Sequence, residues 1–309
     1  MNKHCSAYFI MKSLKHYIIW IQLIILLTSG CREVVQSDFP EMEPVPVINS
    51  ILVAGECIHV HISQATSINQ DSITWLNDAK VDFFEDDMYI ETLNYTKKGL
   101  YKGEAVVKEN KTYRFEIEIP GMGFFTGSTH VPVAEKIRDF ELTAQANKHE
   151  EGYTYPSMEI LFTNTPGEKK YFDAKIILQQ DSYIFEGQVM EHTDPVLLNE
   201  GFPLFVFSNE IIDDTLSTVT FNFFTGGLSG SIGGTLKTDL YPMIVELRTV
   251  DESYYEYTRQ LYLYNTGRYP EFTFSGATAY PLYTNIENAY GVFASYAVNS
   301  TDTIYPSNQ

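Results

Sequence analysis

Residues 58–62 have the sequence Ile58-His59-Val60-His61-Ile62, which alternates strictly between apolar and polar side chains. Because neighbouring side chains of a strand point to opposite faces of its sheet, this alternation predicts a strand with one buried face. Similar stretches recur at short intervals on both sides of it. The sequence therefore predicts a mainly β protein built from antiparallel, half-buried strands.

The part of the chain up to residue 133 contains six such stretches. Short turns separate several of them, for example at Glu85-Asp86-Asp87, Lys97-Lys98-Gly99 and Pro120-Gly121, and these residue types favour tight turns. Short strands at this spacing predict an N-terminal β-sandwich of the immunoglobulin-like or transthyretin-like kind over residues 46–133. The predicted strands are residues 47–53, 58–62, 79–84, 89–95, 113–119 and 124–131.

The chain after Pro132 carries the same pattern to near its end. Its total length of 309 residues fits two domains of ordinary size. We therefore predict a second β-rich domain over residues 134–309, which carries one helix. The predicted strands are residues 137–142, 158–162, 171–179, 204–207, 219–224 and 243–247.

The one helix is predicted near residues 250–264. Thr249 and Glu252 have the spacing of a capping box, and Asn265-Thr266-Gly267 supplies residues that end a helix. Four apolar side chains recur at helical spacing and share a face, namely Tyr254, Tyr257, Leu261 and Tyr264. We expect that face to pack against a sheet rather than to bind a ligand.

The first 31 residues resemble a bacterial lipoprotein export signal. Lys12 and Lys15 precede an apolar run over residues 17–27, and small residues then lead to Cys31. The run contains Gln22 and is shorter than the roughly 20 apolar residues that span a bilayer. We predict a signal peptide over residues 1–30, lipidation of Cys31, and a polar tether over residues 31–45 that holds the folded body off the membrane.

The composition is strongly acidic, with 21 Lys and Arg against 40 Asp and Glu and a net charge of −19. Removal of residues 1–30 takes away three lysines and no acid. Nucleic acid is therefore not an expected partner, because phosphate binding requires a basic surface. Once Cys31 carries lipid, Cys57 has no cysteine partner within the mature chain, so we expect no intramolecular disulfide.

Cys57, His59 and His61 occupy alternate positions and therefore share one face of a predicted strand. These side chains are metal ligands in many proteins. The sequence offers no second cluster to complete a coordination shell, so a surface or interface position is the favoured interpretation. We expect no metal and no cofactor.

The motifs that suggest catalysis are all incomplete. The glycine run over residues 226–234 lacks the Gly-Lys-Ser/Thr ending of a phosphate loop and predicts a mobile hairpin. Ser229 is not in a nucleophile elbow because Ser231 replaces the second glycine. His149-Glu150-Glu151 lacks the second histidine of a zinc-protease helix, and His130 and His192 stand alone. The sequence predicts no catalytic residues, and hence a protein that is not an enzyme.

Three tripeptides resemble the Asp-Ser/Thr-aliphatic acceptor of O-glycosylation in Bacteroidetes envelopes. They are Asp71-Ser72-Ile73, Asp214-Thr215-Leu216 and Asp302-Thr303-Ile304. Glycosylation at these sites is a hypothesis that agrees with the predicted export.

Two C-terminal segments resemble signatures of one protein family. They are Val245-Glu-Leu-Arg-Thr-Val-Asp-Glu-Ser-Tyr-Tyr-Glu-Tyr257 and Tyr283-Thr-Asn-Ile-Glu-Asn-Ala-Tyr-Gly-Val-Phe-Ala-Ser-Tyr296. The chain is similar to an uncharacterised Bacteroidetes outer-membrane lipoprotein family, domain of unknown function 4249. The N-terminal half adds Pro44-Val-Pro-Val-Ile-Asn-Ser-Ile-Leu-Val53, Ala79-Lys-Val-Asp-Phe-Phe84, Gly99-Leu-Tyr101, Lys111-Thr-Tyr-Arg-Phe115 and Thr129-His-Val-Pro132.

Within the second signature, side-chain chemistry favours a structural role. Asn285 and Asn288 suit turns, Gly291 suits a position with little space, and Val292 and Phe293 are expected in a final core strand.

The resemblance implies a partner rather than an activity, because genes of this family tend to lie beside those of TonB-dependent outer-membrane transporters. We expect an outer-membrane protein anchored through lipid on Cys31, facing the cell surface or, alternatively, the periplasm. The leading hypothesis is a non-catalytic accessory or ligand-capturing subunit of a TonB-dependent barrel. The alternatives are a surface adhesin or structural module and a cell-surface hydrolase of glycans or peptides.

Overall fold

The computed structural model of the chain describes residues 44–66, 72–230, 234–267 and 280–306. The predicted signal peptide, Cys31 and residues 31–43 of the predicted tether lie outside the described residues. Among the residues that are described, no helix has both the length and the apolar character needed to cross a membrane.

The first nine strands cover residues 46–131 and confirm the alternation seen in the sequence. In the strand that contains residues 58–62, Ile58, Val60 and Ile62 are fully buried whereas His59 and His61 are partly exposed. The strands are β1 (Pro46–Val53), β2 (Cys57–Gln64), β3 (Thr74–Trp75), β4 (Lys80–Glu85), β5 (Met88–Thr92), β6 (Asn94–Lys97), β7 (Leu100–Val106), β8 (Lys111–Ile119) and β9 (Gly123–Val131).

The remaining strands and two helices follow. The strands are β10 (Ile137–Lys148), β11 (Thr154–Thr163), β12 (Tyr171–Gln180), β13 (Tyr183–Glu186), β14 (Gln188–Val189), β15 (Val206–Ser208), β16 (Leu216–Phe224), β17 (Leu228–Ser229), β18 (Lys237–Thr238), β19 (Met243–Val250) and β20 (Tyr290–Ser300). The helices are α1 (Pro195–Glu200) and α2 (Glu252–Gly267). The prediction of a mainly β fold with a helix near residues 250–264 is confirmed.

Three sheets organise these strands. The largest has ten strands in the order β13-β12-β19-β20-β1-β2-β7-β6, with β3 beside β2 and β15 beside β12. A four-stranded sheet has the order β5-β4-β8-β9, and a six-stranded sheet has the order β14-β16-β11-β18-β17 with β10 beside β11. The neighbours β1 and β20 run parallel, with Val47 opposite Tyr290 and Val53 opposite Tyr296.

The ten-stranded sheet takes part in two sandwich-like cores. Its strands β1, β2, β7 and β20 pack against the four-stranded sheet, where the rings of Phe115 and Phe293 lie 4.7 Å apart. Its strands β12, β15 and β19 pack against the six-stranded sheet, where Phe162 contacts Phe172 at 5.3 Å between ring centroids. Strands from both sides of residue 133 therefore share one sheet, and the division into two domains at that point stays a prediction.

Helix α2 covers the opposite face of the ten-stranded sheet. Tyr254 and Tyr255 are buried there beside Val250, whereas Tyr257 is partly buried. Tyr255 was not part of the predicted tyrosine face, so the buried face of the helix is rotated slightly toward the side of Tyr255.

The predicted capping box of α2 is wrong. The strand β19 continues to Val250, and Thr249 Oγ1 accepts a hydrogen bond from the backbone N–H of Glu135 at 2.9 Å. Asp251 caps the helix instead, because its Oδ1 accepts from the N–H of Tyr254 at 2.9 Å. Pairing of Thr249 with Phe172 of β12 explains why the strand extends past the predicted cap.

Two other local features differ from the predictions. The single strand predicted over residues 89–95 is two strands in different sheets, since the buried Leu93 lies between β5 and β6. Helix α1 was not predicted, although Asp194 caps it by accepting from Val196 N–H at 2.8 Å and Gly201 ends it in the left-handed conformation.

Candidate functional site

The candidate metal ligands Cys57, His59 and His61 do share one side of β2. The ring of His61 meets that of Trp75 edge to face at 4.8 Å, and Cys57 is exposed. Within residues 44–66, 72–230, 234–267 and 280–306, no three His, Cys, Asp or Glu side chains lie together as metal ligands would.

The other histidines in the described part of the chain contact different parts of the fold. His130 Nδ1 is 3.2 Å from Thr112 Oγ1, and the ring of His149 stacks on Tyr153 at 4.6 Å. His192 Nε2 lies 3.0 Å from the carbonyl oxygen of Phe202, and burial lowers the pKa of this imidazole. The structure does not bring these histidines together.

The described part of the glycine run contributes one strand of a short antiparallel pair, and the predicted mobility stays a prediction. Leu228 and Ser229 pair antiparallel with Thr238 and Lys237. Residues 231–233 of the run lie outside the described residues.

The two segments that resemble the family signatures meet in space. Residues 245–257 supply the end of β19 and the start of α2, and residues 283–296 supply the segment that leads into β20. The two strands pair antiparallel, with Val250 opposite Tyr296. The structure thus places both signatures where α2 joins the ten-stranded sheet.

Asn285 fixes the segment that leads into β20. Its Nδ2 donates to the carbonyl oxygen of Phe293 at 2.7 Å, and its Oδ1 accepts from the N–H of Phe293 at 2.9 Å. Gly291 has φ of +105°, and a Cβ there would lie 1.9 Å from the carbonyl oxygen of Ile48. The predicted roles of Asn285 in closing a turn and of Gly291 in a tight position are confirmed.

Asp251 connects three elements at this junction. In addition to capping α2, its Oδ1 accepts from the N–H of Ser295 in β20 at 3.2 Å. Its Oδ2 accepts from Thr129 Oγ1 in β9 at 2.5 Å, and that hydroxyl is 2.9 Å from Ser295 Oγ. Burial raises the pKa of Asp251 to about 6, and the neutral donors offset this only in part.

Asp173 lies under α2 on strand β12 and is almost fully buried. Its Oδ2 accepts from Tyr254 Oη at 2.7 Å and lies 3.6 Å from Lys175 Nζ and 3.9 Å from Arg248 Nη1. Burial raises the pKa of Asp173 despite the two cations. The guanidinium of Arg248 also stacks over the ring of Tyr296 at 4.9 Å.

Glu200 anchors the other tyrosine of the helix. Its carboxylate accepts from Ser208 N–H at 2.7 Å, from Ser208 Oγ at 2.9 Å and from Tyr255 Oη. Burial raises the pKa of Tyr255, and the Glu200 carboxylate adds to the effect.

Glu135 forms a buried ion pair beside the same region. Its Oε1 lies 2.5 Å from Lys170 Nζ, and its Oε2 accepts from Thr163 Oγ1 at 2.5 Å. Burial alone raises the pKa of Glu135, but the bonds from Lys170 and Thr163 outweigh it and hold the pKa below its ordinary value.

A surface depression of about 490 Å³ lies between the loops that follow β11 and β15. Asn209 Nδ2 ties these loops together, because it donates to Asn164 Oδ1 at 2.8 Å and to the carbonyl oxygen of Glu168 at 2.8 Å. Three of the side chains that line the depression are carboxylates, those of Glu168, Glu210 and Asp213. It is lined by Gly167, Glu168, Lys169, Asn209, Glu210, Ile212 and Asp213.

Comparison with known families identifies the chain. The model of the family described as "Domain of unknown function (DUF4249)" matches residues 32–302. The chain belongs to the DUF4249 family. No curated protein matches this DUF4249 chain.

Among solved structures, a beta-glucuronidase from glycoside hydrolase family 2 is 13% identical to the DUF4249 chain, with a TM-score of 0.21. The match covers 69% of this chain and 19% of the glucuronidase chain, so the DUF4249 chain spans about a fifth of that enzyme. A TM-score this low supports no statement about fold or activity.

In this DUF4249 protein, the carboxylates with the clearest structural roles do not line the depression. Asp173, Glu200, Asp251 and Glu135 all bond to neighbouring strands or to α2, and none lines the depression. Their arrangement fixes the helix against the sheet. The N-cap preference for Asp was a signal that could have identified Asp251, whereas the roles of Asp173 and Glu200 depend on strand pairing that the sequence does not reveal.

The acceptor-like tripeptides differ in exposure. Asp214, Thr215 and Leu216 are exposed, whereas Ile304 is buried and pairs with Met243. Asp71 lies outside the described residues.

Proposed function

We propose that this DUF4249 protein is a non-catalytic, lipid-anchored protein of the outer membrane that acts as an accessory or ligand-capturing subunit of a TonB-dependent transporter. The supporting observation is the position of the two signature segments. They form the junction of α2 with the ten-stranded sheet, where Asp251 and Asn285 make structural hydrogen bonds. These bonds make the junction a scaffold, which suits a binding or assembly subunit.

The start of the described chain agrees with a lipid anchor. Pro46 begins β1 in the interior of the ten-stranded sheet, next to β2 and β20. A tether over residues 31–45 that ends in a paired central strand would connect lipid on Cys31 firmly to the folded body. More than one acyl chain on that cysteine would hold the protein on the membrane, because a single chain binds only weakly. We propose that the body faces the cell surface.

The experiment that tests this proposal is gentle detergent extraction of the native outer membrane, with an affinity tag after Gln309. Mass spectrometry then identifies the proteins that co-purify. We expect a TonB-dependent barrel in stoichiometric amount, and we expect a Cys31→Ser variant to lose both the lipid and the membrane fraction. A lipidated protein that arrives alone would contradict the transporter role and favour the adhesin.

The same preparation tests the glycosylation hypothesis. Thr215 is the acceptor of the fully exposed tripeptide and is therefore the site we propose first. An intact mass above polypeptide plus lipid, which returns to that value in Thr215→Val, would support it. An intact mass of polypeptide plus lipid alone would rule it out.

A further inference from the structure

Strand β13 forms one outer edge of the ten-stranded sheet, and β12 is its sole neighbour in the sheet among the described strands. Tyr183 and Ile184 are 74% and 73% exposed. A strand at a sheet edge has backbone N–H and C=O groups without partners, and an apolar edge pairs readily with another strand. The exposed edge of β13 therefore has the properties of a pairing surface.

Backbone geometry shows which groups of β13 face outward. Gly187 N–H donates to Ile176 O at 2.8 Å, so these two opposed residues form a hydrogen-bonded pair. The next pair along the strands is Ile177 and Glu186. Because hydrogen-bonded and non-hydrogen-bonded pairs alternate, Ile177 and Glu186 form a non-hydrogen-bonded pair. It follows that Tyr183 and Phe185 bond inward to β12. The backbone groups of Ile184 and Glu186 point away from the sheet.

Strands β6 and β10 and the second half of β7 carry features that oppose pairing. Strand β6 has a register shift between Tyr95 and Lys97, and its last residue is a lysine. Strand β10 has a register shift between Thr143 and Asn147. On β7, the carboxylate of Glu91 accepts from the N–H groups of the residues at positions 104 and 105. Bulges, edge lysines and such side-chain contacts are the usual means of protecting an edge.

Strand β13 has none of these features. It pairs with β12 without a register shift, and it contains no lysine, arginine or proline. Its two-residue turn, Asp181-Ser182, is tight because Asp181 adopts φ of +52°. The edge is therefore regular and open, in contrast to β6 and β10.

We propose that β13 pairs antiparallel with β13 of a second copy of this chain, with Ile184 on the two-fold axis. In this register, Ile184 lies opposite Ile184 of the partner subunit, and Tyr183 lies opposite Phe185 of the partner subunit. Glu186 lies opposite Ser182 of the partner subunit. The two copies of Ile184 then exchange both of their outward backbone hydrogen bonds.

Charge and side-chain chemistry favour this register. It places no two like charges opposite each other, although the chain carries a net charge of −19. The register with Phe185 on the axis would instead place each Glu186 carboxylate against Ile184. Pairing over about five residues of each chain buries a small area, so the dimer is weak and reversible.

Cysteine cross-linking of the full-length mature protein in detergent tests the proposal. In a Cys57→Ser background, Ile184→Cys places two thiols on a hydrogen-bonded antiparallel pair, whose Cα atoms are about 5.5 Å apart. That distance suits a disulfide. We expect mild oxidation to give a covalent dimer.

Two matched variants control for random collision. Ser182→Cys places its thiols roughly 13 Å apart in the proposed register, and Tyr95→Cys lies on the protected edge β6. We expect neither to cross-link above background. Cross-linking of either variant as efficient as that of Ile184→Cys would overturn the proposal.

Sedimentation over a dilution series gives an independent readout. We expect the wild-type chain to dimerise reversibly and Ile184→Lys to raise the dissociation constant at least about tenfold. Because residue 184 is exposed, the variant should retain the circular dichroism of the wild type. A wild-type chain that stays monomeric at the highest soluble concentration would also overturn the proposal.

Discussion

Asp251 and Glu135 both lie beside the end of β19, yet their surroundings differ in charge. Asp251 bonds to the neutral donors of Thr129, Ser295 and Tyr254. Glu135 bonds to a lysine as well as to threonines. Burial raises the pKa of Asp251 to about 6, whereas the Lys170 ion pair brings the pKa of Glu135 below its ordinary value.

This difference shows that the role of a buried carboxylate is not given by burial alone. Asp251 has geometry suited to joining α2, β20 and β9, but its ionised form is electrostatically unfavourable there. Glu135 has a counter-ion, so its ionised form is the favoured one. The contributions of the two groups to stability should therefore change in opposite directions with pH.

The largest expected effect is that of Asp251→Ala. The substitution removes the cap of α2 and the acceptor for Ser295 N–H and Thr129 Oγ1. A cap contributes about 1 kcal/mol, and each buried donor left without its acceptor costs about 1.5 kcal/mol. We expect the free energy of unfolding to fall by about 4 kcal/mol in urea titrations monitored by circular dichroism in mild acid, where the Asp251 carboxyl is protonated.

The control for this variant is Asp213→Ala, which changes an exposed aspartate on the rim of the depression. We expect it to change the free energy of unfolding by less than about 0.5 kcal/mol. Equal effects of the two substitutions would mean that Asp251 does not hold the junction.

The pH dependence of stability distinguishes Asp251 from Glu135. The pKa of Asp251 is raised from 3.8 in the unfolded chain to about 6 in the folded chain. The folded state therefore binds the proton more tightly, and stability from this group is present below pH 3.8 and lost as pH rises to 6. The loss is about 3 kcal/mol. We expect the stability of the wild type relative to Asp251→Asn to fall by this amount from well below pH 3.8 to well above pH 6.

The comparison with Asp251→Asn removes the contributions of the other carboxylates, because they titrate in both proteins. A stability difference between the two proteins that stays constant from pH 3.8 to 6 would show that the raised pKa is wrong.

The smallest effect in this series is that of Lys170→Met. It leaves Glu135 buried without its counter-ion, and we expect a loss of about 2 kcal/mol in the free energy of unfolding at neutral pH. Because the folded pKa of Glu135 is lowered, the stability that it contributes is lost as pH falls. The cost of Lys170→Met should therefore shrink in acid, opposite to the trend for Asp251.

Lys169→Met provides the control, since Lys169 is exposed and its ion pair with Glu252 spans 3.7 Å at the surface. We expect a change below about 0.5 kcal/mol. Thermal unfolding at neutral and acid pH measures both variants. A cost of Lys170→Met that grows in acid would contradict the assigned role of Glu135.

Most strand positions were predictable because alternation is a local property. Ile58, Val60 and Ile62 reveal their buried face within five residues, and β8 and β9 follow the same rule. The approximate position of α2 was also predictable, because Asn265-Thr266-Gly267 marks its end and tyrosines recur at helical spacing before it.

The pairing of distant strands was not predictable from one sequence. Nothing near Thr249 indicates that β12 pairs with it and moves the helix cap to Asp251. The same limit applies to the candidate site, since the partners of Asp251 are 44 and 122 residues away. Local patterns carry no information at that separation.

The parallel pair of β1 and β20 has a consequence for the order in which the chain can fold. Residues near position 50 must wait for residues near position 293 before their sheet is complete. Contacts at such separation are slow to form because a long loop must close first. A chain that ends before residue 290 lacks the strand that joins β1 to β19, so synthesis must pass β20 before the central sheet can close.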